Sequence, residues 1–380
     1  MAKKKDKVRV GVIGPGGAGS GRTIEFARRD DVELVAAVDT REEAFDRLEV
    51  RLKESVEGYD PSKIKRYVGE YEFTQMIDKE DLDIVGVFSP HSLHDIHAKY
   101  AMRNGASVIV EKPMANFVGD AIAMHKISFG YGVNLVIHYQ RHFSDLYITA
   151  KSLIEEGIVG DLVGFEVYLA QRWGGGGWRG DPRFSGGGQP NDSGSHLQDI
   201  FLWMTGFLPT SVYGSTSLDF EDDKGNIIKK QVEIDSNSKV TMDNGAKGEI
   251  DIHGNTKIGF DEWVILTGTA GTLSIKGGKL LYKAKGKRKE EELALSPKPE
   301  GHPRSNIDNV IGLVKGDYKV NYASGLNGIR TSLLTNCIIL AGKGPKEKNT
   351  ISCDKVLESE GYSRDYVKQL IEESHENNMF

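Results

Sequence analysis

The sequence predicts an α/β protein in two parts, the first built on a doubly wound parallel sheet and the second on a large, mostly antiparallel one. Three observations lead there. Short apolar runs alternate with helix-spaced segments across residues 8–137, the pattern of repeated strand–helix crossovers. A glycine-rich turn, Gly14-Pro15-Gly16-Gly17-Ala18-Gly19, joins the first run to the first helix. Beyond Lys151 the alternation stops, and strand-like runs follow one another across Asp-Gly-type and Gly-Gly turns.

Val8–Ile13 is short and β-rich, and ends in the glycines. Residues 19–29 read as a helix with Ile24, Phe26 and Ala27 as its apolar positions. Residues 32–38 are almost entirely apolar, as expected of a strand covered on both faces. Residues 42–53 place Ala44, Phe45, Leu48 and Leu52 at helical spacing. Buried strands are expected at 82–88, 107–110 and 133–137, with a helix at 94–103 between the first two. The stretch 56–71 reads as a lengthened connection. In the second part, strands are expected at 165–170, 210–219, 231–242, 247–253 and 263–275, with helices at 196–205, 306–314 and 325–340. The two late helices either return to the first domain or close the second. The expected domains are 1–140, 141–353 and a charged tail, 354–380. In the tail, Tyr366 with Leu370 and Val367 with Ile371 are spaced for a short docked helix.

At 380 residues, 38% hydrophobic and 27% charged, the chain is a two-domain globular protein. A net charge of −6 argues against a nucleic-acid partner. The two cysteines, Cys337 and Cys353, offer no disulfide framework and fit a reducing compartment. The basic start, Met1-Ala2-Lys3-Lys4-Lys5, lacks the apolar core of a signal peptide, and no run has membrane-spanning length. A cytoplasmic protein without a membrane partner is expected.

Gly14, Gly16 and Gly19 have the G-x-G-x-x-G spacing, between a strand and a helix. Such a turn lets backbone approach a pyrophosphate and aims a helix N-terminus at it. Asp39 ends the next strand, 20 residues after Gly19, where a carboxylate would bind ribose hydroxyls. It favours NAD over NADP, although Arg41, two residues on, is able to accept a 2′-phosphate. An ordinary loop and a helix-capping Asp39 are the alternatives. Lys112 follows the strand 107–110 inside Glu111-Lys112-Pro113. Pro113 restricts its backbone to extended conformations, and its ammonium is suited to stabilising a developing alkoxide. Asp192, His196 and Asp199 lie four and three positions apart, so a helix would align them on one face. A capping aspartate and a structural histidine are the alternative. No metal site is expected.

Taken together, Gly14–Gly19, Asp39, Ser89-Pro90-His91 with His94, Glu111-Lys112-Pro113, Gln140-Arg141, Trp178-Arg179 and the run from Gly186 to His196 resemble the Gfo/Idh/MocA (glucose-fructose oxidoreductase / inositol dehydrogenase) family. The resemblance covers residues 7–350. It implies an N-terminal Rossmann domain and a C-terminal α/β domain with a large open sheet. It also implies hydride transfer between a nicotinamide and a sugar, polyol or cyclitol carbon. Carried over by motif, Lys112, Asp192 and His196 form the catalytic set. His196 exchanges the hydroxyl proton, Lys112 polarises the substrate oxygen, and Asp192 orients and tunes both. A neutral histidine suits this role. Cofactor binding is assigned to Gly14, Gly16, Gly17, Ala18, Gly19, Asp39, Arg41, Ser89, Pro90, His94, Glu111, Lys112, Gln140, Trp178 and Arg179. Substrate binding is assigned to Lys112, Arg172, Asp192 and His196.

Two positions depart from the family: His91, where Asn or a small polar residue is common, and His142, where a second basic residue is common. The glycine run Gly174–Gly177 between Trp173 and Trp178 is unusual. It is either a lip whose indoles stack on a sugar ring or a surface loop with one tryptophan packed inwards. Two other readings share the motifs: a redox-neutral, NAD-dependent glycosidase and a non-catalytic sugar-pathway regulator. The family implies a homodimer or homotetramer.

Overall fold

A computed structural model describes residues 7–343 and 349–376. The basic start lies outside them. The first sheet contains β1 (Val8–Ile13), β2 (Val32–Asp39), β3 (Lys65–Val68), β4 (Ile84–Val87), β5 (Ser107–Val110) and β6 (Leu135–Ile137). All six run parallel in the order β3-β2-β1-β4-β5-β6. The order reverses between β1 and β4, which opens a crevice at their carboxyl ends. Helices α1 (Gly17–Ala27), α2 (Glu42–Ser55), α3 (Glu72–Lys79), α4 (His94–Arg103) and α5 (Val118–Tyr131) make the crossovers.

The stretch 56–71 is more than a connection, because it contains β3. That edge strand, Lys-Arg-Tyr-Val, is mostly exposed and lacks the apolar run that reveals a covered strand. Helix α5 is likewise not marked by any periodicity in the sequence. Its Val118, Ala121, Ile122, Met124 and His125 are buried around much of the circumference, so no amphipathic stripe shows.

The second part begins with α6 (Asp145–Glu155), β7 (Leu162–Gln171), the short α7 (Pro182–Ser185) and α8 (Gly194–Thr205). Strands β8 (Pro209–Ser217), β9 (Asp219–Glu221), β10 (Ile227–Lys229), β11 (Asp235–Met242), β12 (Lys247–His253) and β13 (Phe260–Gly268) follow. Then come β14 (Gly271–Lys276), β15 (Lys279–Ala284), β16 (Glu291–Glu292), α9 (Asn306–Lys315), α10 (Gly325–Lys343), β17 (Thr350–Ser352), α11 (Cys353–Ser359) and α12 (Arg364–Glu376). Nine strands form one sheet in the order β16-β15-β14-β13-β7-β12-β11-β8-β17, while β9 and β10 pair separately. Only β7 and β12 pair in parallel within the nine. The single strand expected over 263–275 is two, because the chain reverses at Thr269-Ala270.

One face of this sheet packs on α8 and α10. The other is open and carries a stacked pair, Tyr168 on Trp263 at 3.8 Å between ring centroids, with the Lys276 ammonium 4.4 Å over Trp263. Both late helices reach the first domain. α9 packs against β1, β4, β5 and β6, and the Ile137 N–H donates to the Ala323 carbonyl at 2.7 Å. α10 is buried almost all round and touches α5, α8 and β8. The charged tail forms two docked helices, with Leu357 and Val367 fully buried and the Lys126 ammonium of α5 over Tyr366.

No described helix is long and apolar enough to cross a membrane. Leu357 is fully enclosed between α10, β8 and β17. Leu357→Ala is expected to cost about 2–5 kcal/mol, measured by denaturant unfolding.

Candidate active site

β1 delivers the chain into Gly14, which has φ +77°; a Cβ there would lie 2.8 Å from the Phe88 carbonyl oxygen. A Cβ on Gly19 would run into the Gly14 carbonyl. Both positions need glycine to hold the turn tight against β4. α1 begins at Gly17 with no side-chain cap, so its first N–H groups remain for another acceptor. Asp39, at the carboxyl end of β2, lies beside Gly16 and accepts the Arg41 N–H at 3.1 Å. The Arg41 side chain is 64% exposed and turns back to within 3.9 Å of Asp39. An uncapped helix start, two glycines a side chain would block and a facing carboxylate suit a dinucleotide.

The loops after β4 and β5 form the next wall. His94 is completely buried, with one ring nitrogen 2.8 Å from the Pro113 carbonyl and the other 2.9 Å from the Ser89 carbonyl. It braces the Ser89-Pro90 and Lys112-Pro113 segments from behind. Ser89 is engaged with His97 at 2.9 Å, and Gln140 is exposed on the turn after β6. Glu111 accepts from Arg22 of α1 at 3.0 Å and from the Lys112 backbone N–H at 3.2 Å, with His138 3.7 Å away. Burial opposes ionisation of Glu111, but the surrounding His138, Arg22 and Lys112 outweigh it and hold the carboxyl below its usual range. Because burial also keeps His138 neutral, Arg22 and Lys112 supply this effect at neutral pH.

Lys112 reaches across to the second domain. Its ammonium donates to Asp192 Oδ1 at 2.9 Å and to the Asp192 carbonyl at 3.0 Å. Asp192 Oδ2 accepts from Trp173 Nε1 and Arg179 Nε, both at 3.0 Å. Burial raises the cost of the Asp192 charge, yet the Lys112 and Arg179 cations hold the carboxyl well below the ordinary aspartate range. His91 is buried, and its Nδ1–H donates to the Ser185 carbonyl at 3.1 Å. Its bare Nε2 lies 3.9 Å from Asp192 Oδ1. Burial pushes the His91 pKa down to about 3, so it is neutral. His196 sits in the first turn of α8. Burial, then the Lys112 and Arg141 charges, push its pKa well below 6.5 against the pull of Asp192. It is therefore a neutral imidazole, able to take a proton.

Lys112 and Asp192 thus meet, and His196 lies near enough for both charges to act on it, but the alignment is not a helix face. Asp192 precedes α8, and Asp199 turns away to His142 Nε2 at 2.8 Å, where Trp203 stacks on the imidazole at 4.4 Å. Arg172 is not brought to the cluster. Its guanidinium lies over Phe220 and binds the Glu221 carbonyl at 2.9 Å and Asp223 at 2.7 Å. The chain is extended here, so consecutive side chains point to opposite sides, and Trp173 takes the inward position. Trp178 meets His91 edge-on at 4.7 Å, with the Arg179 guanidinium 4.4 Å from its ring centroid. The glycine run therefore has Trp173 turned inwards. Trp173, His91, Arg22 and Arg141 are site residues outside the assigned catalytic and binding sets. Trp173 stood beside the glycines, and His91 and Arg141 stood within the family motifs; Arg22 carried no signal in the sequence. Arg141, on the turn after β6, binds Glu262 of β13 at 2.6 Å. Among the described residues no cluster of histidine, cysteine and carboxylate side chains suits a metal.

The description "Oxidoreductase family, NAD-binding Rossmann fold" matches residues 8–139, and "GFO/IDH/MocA C-terminal domain" matches residues 147–274. The chain belongs to the Gfo/Idh/MocA family. A relative from Comamonas testosteroni named 1-carboxy-3-chloro-3,4-dihydroxycyclo hexa-1,5-diene dehydrogenase is 27% identical over 160 residues, covering 40% of this chain and 36% of the relative. Glycosyl hydrolase family 109 protein 2 of Shewanella sp. (strain ANA-3) is 34% identical over 176 residues, covering 46% of this chain and 38% of the relative. The matches thus span less than two-fifths of these relatives' length. The Gfo/Idh/MocA fold extends over nearly the whole chain in solved structures. Aldose-aldose oxidoreductase from Caulobacter crescentus has a TM-score of 0.72 at 22% identity, covering 91% of this chain and 99% of that one. Levoglucosan dehydrogenase, in complex with NADH and L-sorbose, has a TM-score of 0.74 at 16% identity, covering 92% and 100%.

Arg22 stabilises the ionised form of Glu111. The folded-state pKa of Glu111 lies below its ordinary 4.5, so its contribution to stability is present above that value and fades as pH falls below it. Arg22→Ala is expected to lower the melting temperature at pH 7, with the deficit narrowing below about pH 4; calorimetry across pH checks this.

Proposed function

We propose that this protein is an NAD(P)-dependent oxidoreductase acting on a hydroxyl or carbonyl carbon of a sugar, polyol or cyclitol. The observation that carries the reading is the Lys112–Asp192 pair, closed across the two domains at 2.9 Å beside the neutral His196. When bound in the crevice along Gly14–Gly19, the nicotinamide supplies the carbon that gives or accepts hydride. Lys112 spends two of its three N–H donors on Asp192, which leaves the third for a substrate oxygen. A cation fixed there stabilises negative charge developing on that oxygen. His196 Nε2 or Nδ1, unprotonated at neutral pH, receives the hydroxyl proton during oxidation and returns it during reduction. Asp192 keeps Lys112 charged and aimed. Buried Glu111 and His94 hold the lysine's backbone in place. Asp39 favours NAD over NADP. The open outer face of the second sheet supports a homodimer or homotetramer, and the low cysteine content supports a cytoplasmic setting.

A second reading is favoured by the relatives named Glycosyl hydrolase family 109, 26–34% identical to this chain. In that case the same lysine and histidine act in a redox-neutral cycle. The two separate in one assay: purified protein with NAD or NADP, and aldoses, polyols, cyclitols and keto-sugars in both directions. A lasting change in reduced-nicotinamide absorbance supports the dehydrogenase. Glycoside cleavage without such a change supports the redox-neutral enzyme.

Lys112→Ala is expected to lower kcat roughly 10²–10³-fold, the cost of losing one donor to a developing oxyanion, with dinucleotide affinity retained. Equal kcat would remove the lysine from the chemistry. Asp39→Ala is expected to weaken NAD more than NADP, read by fluorescence titration of the reduced forms. Equal weakening would make Asp39 structural.

A further inference from the structure

The four glycines Gly174–Gly177 bring two distant side chains onto one atom. Trp173 Nε1 and Arg179 Nε, at opposite ends of the run, both donate to Asp192 Oδ2 at 3.0 Å. The opposite oxygen, Oδ1, holds Lys112. Asp192 itself is 5% exposed, so these donors replace the water it has lost. The loop is built for this return. Gly175 and Gly177 have φ +62° and +61°, conformations that other residues rarely adopt. A Cβ on Gly175 would touch the Trp173 ring at 3.3 Å, and one on Gly180 would strike the Gly175 carbonyl. The loop therefore folds beneath the indole and closes on itself. Trp173 is anchored at its backbone too, where its N–H donates to the Gly254 carbonyl at 2.9 Å, just beyond β12.

We infer that Trp173 is a positioning residue: its indole N–H, with Arg179, fixes the plane of the Asp192 carboxylate and so the direction in which Lys112 is held. The Gly174–Gly177 loop is the spacer that makes this clasp possible, rather than a free lip over the substrate. A carboxylate bonded on one edge only can rotate about its Cβ–Cγ axis. With two donors on Oδ2 and the ammonium on Oδ1, rotation breaks at least one charge-assisted bond. The part of this inference that concerns turnover rests on the function proposed above; the indole–carboxylate contact does not.

Trp173→Phe keeps the ring and removes only the N–H. It is compared with wild type, with Asp192→Ala and with the double variant. Melting temperatures of all four proteins form a cycle that needs no substrate. Trp173→Phe is expected to lower the melting temperature when Asp192 is present and to cost little once it is gone. If Asp192→Ala does not fold, Asp192→Asn serves, and the penalty is then expected to shrink. On the substrate found by the assay above, kcat is expected to fall roughly tenfold, the scale of one hydrogen bond to a charged group, with KM little changed. An equal penalty in both backgrounds would make Trp173 a packing residue and overturn the inference. So would a Trp173→Phe protein that melts and turns over like wild type. Unchanged turnover in Lys112→Ala would instead overturn the proposed function, leaving the melting cycle to decide the contact by itself.

Discussion

The carboxylate of Asp192 is the point on which the two halves of this molecule agree. It is buried, ionised and fully used: Lys112 from the first domain on one oxygen, Trp173 and Arg179 from the second on the other. A buried anion without such partners would protonate or force its surroundings open. Charge balance at this one residue therefore demands that the β5 loop, the glycine loop and the start of α8 be in register. His196 then needs no partner of its own to be placed, because α8 carries it into the same space.

The frame behind that residue is α10. Its Asn336 side chain accepts the Val118 N–H at 2.9 Å and donates to the Asn116 carbonyl at 2.7 Å, tying down the loop that follows Lys112. From another side, Thr335 donates to Gln198 of α8 at 2.5 Å. Gly328 fits closely against Met114, where a side chain would collide. One buried helix thus fixes both the lysine's loop and the histidine's helix. Rigid second-line support of this kind keeps a charged cluster within the narrow geometry that proton and hydride chemistry needs.

Much of this was legible in the sequence, and the reasons differ by element. The strands at 32–38, 82–88 and 107–110 are covered on both faces, so their apolar runs declare them. The glycine turn and Glu111-Lys112-Pro113 are legible because their chemistry demands particular residues at fixed spacing. The edge strand β3 was hidden because exposure removes its pattern, and α5 because burial on most sides does the same. At the site, the motifs that hold Lys112 and Asp192 stood out in the sequence, and the fold brings these two side chains into contact. Arg172 and Trp173 could not be told apart, since adjacent residues on an extended chain exchange faces with a shift of one position. His94 matched a motif, yet serves as an internal brace, a distinction that only its two carbonyl contacts reveal. Asp199, which spacing alone joined to Asp192 and His196, instead forms a buried pair with His142.

The path of the chain through α9 and α10 has a consequence for how the molecule is made. β6 is edged by the segment at Ala323 and Ser324, and β1, β4, β5 and β6 are covered by α9. This sheet is thus finished by residues that follow most of the second sheet in the chain. During translation the part of that sheet which α9 covers must wait while the whole nine-stranded sheet except β17 emerges from the ribosome. Order of synthesis and order of burial run in opposite directions here, and the nascent nucleotide-binding half keeps part of its apolar surface exposed until α9 has been made.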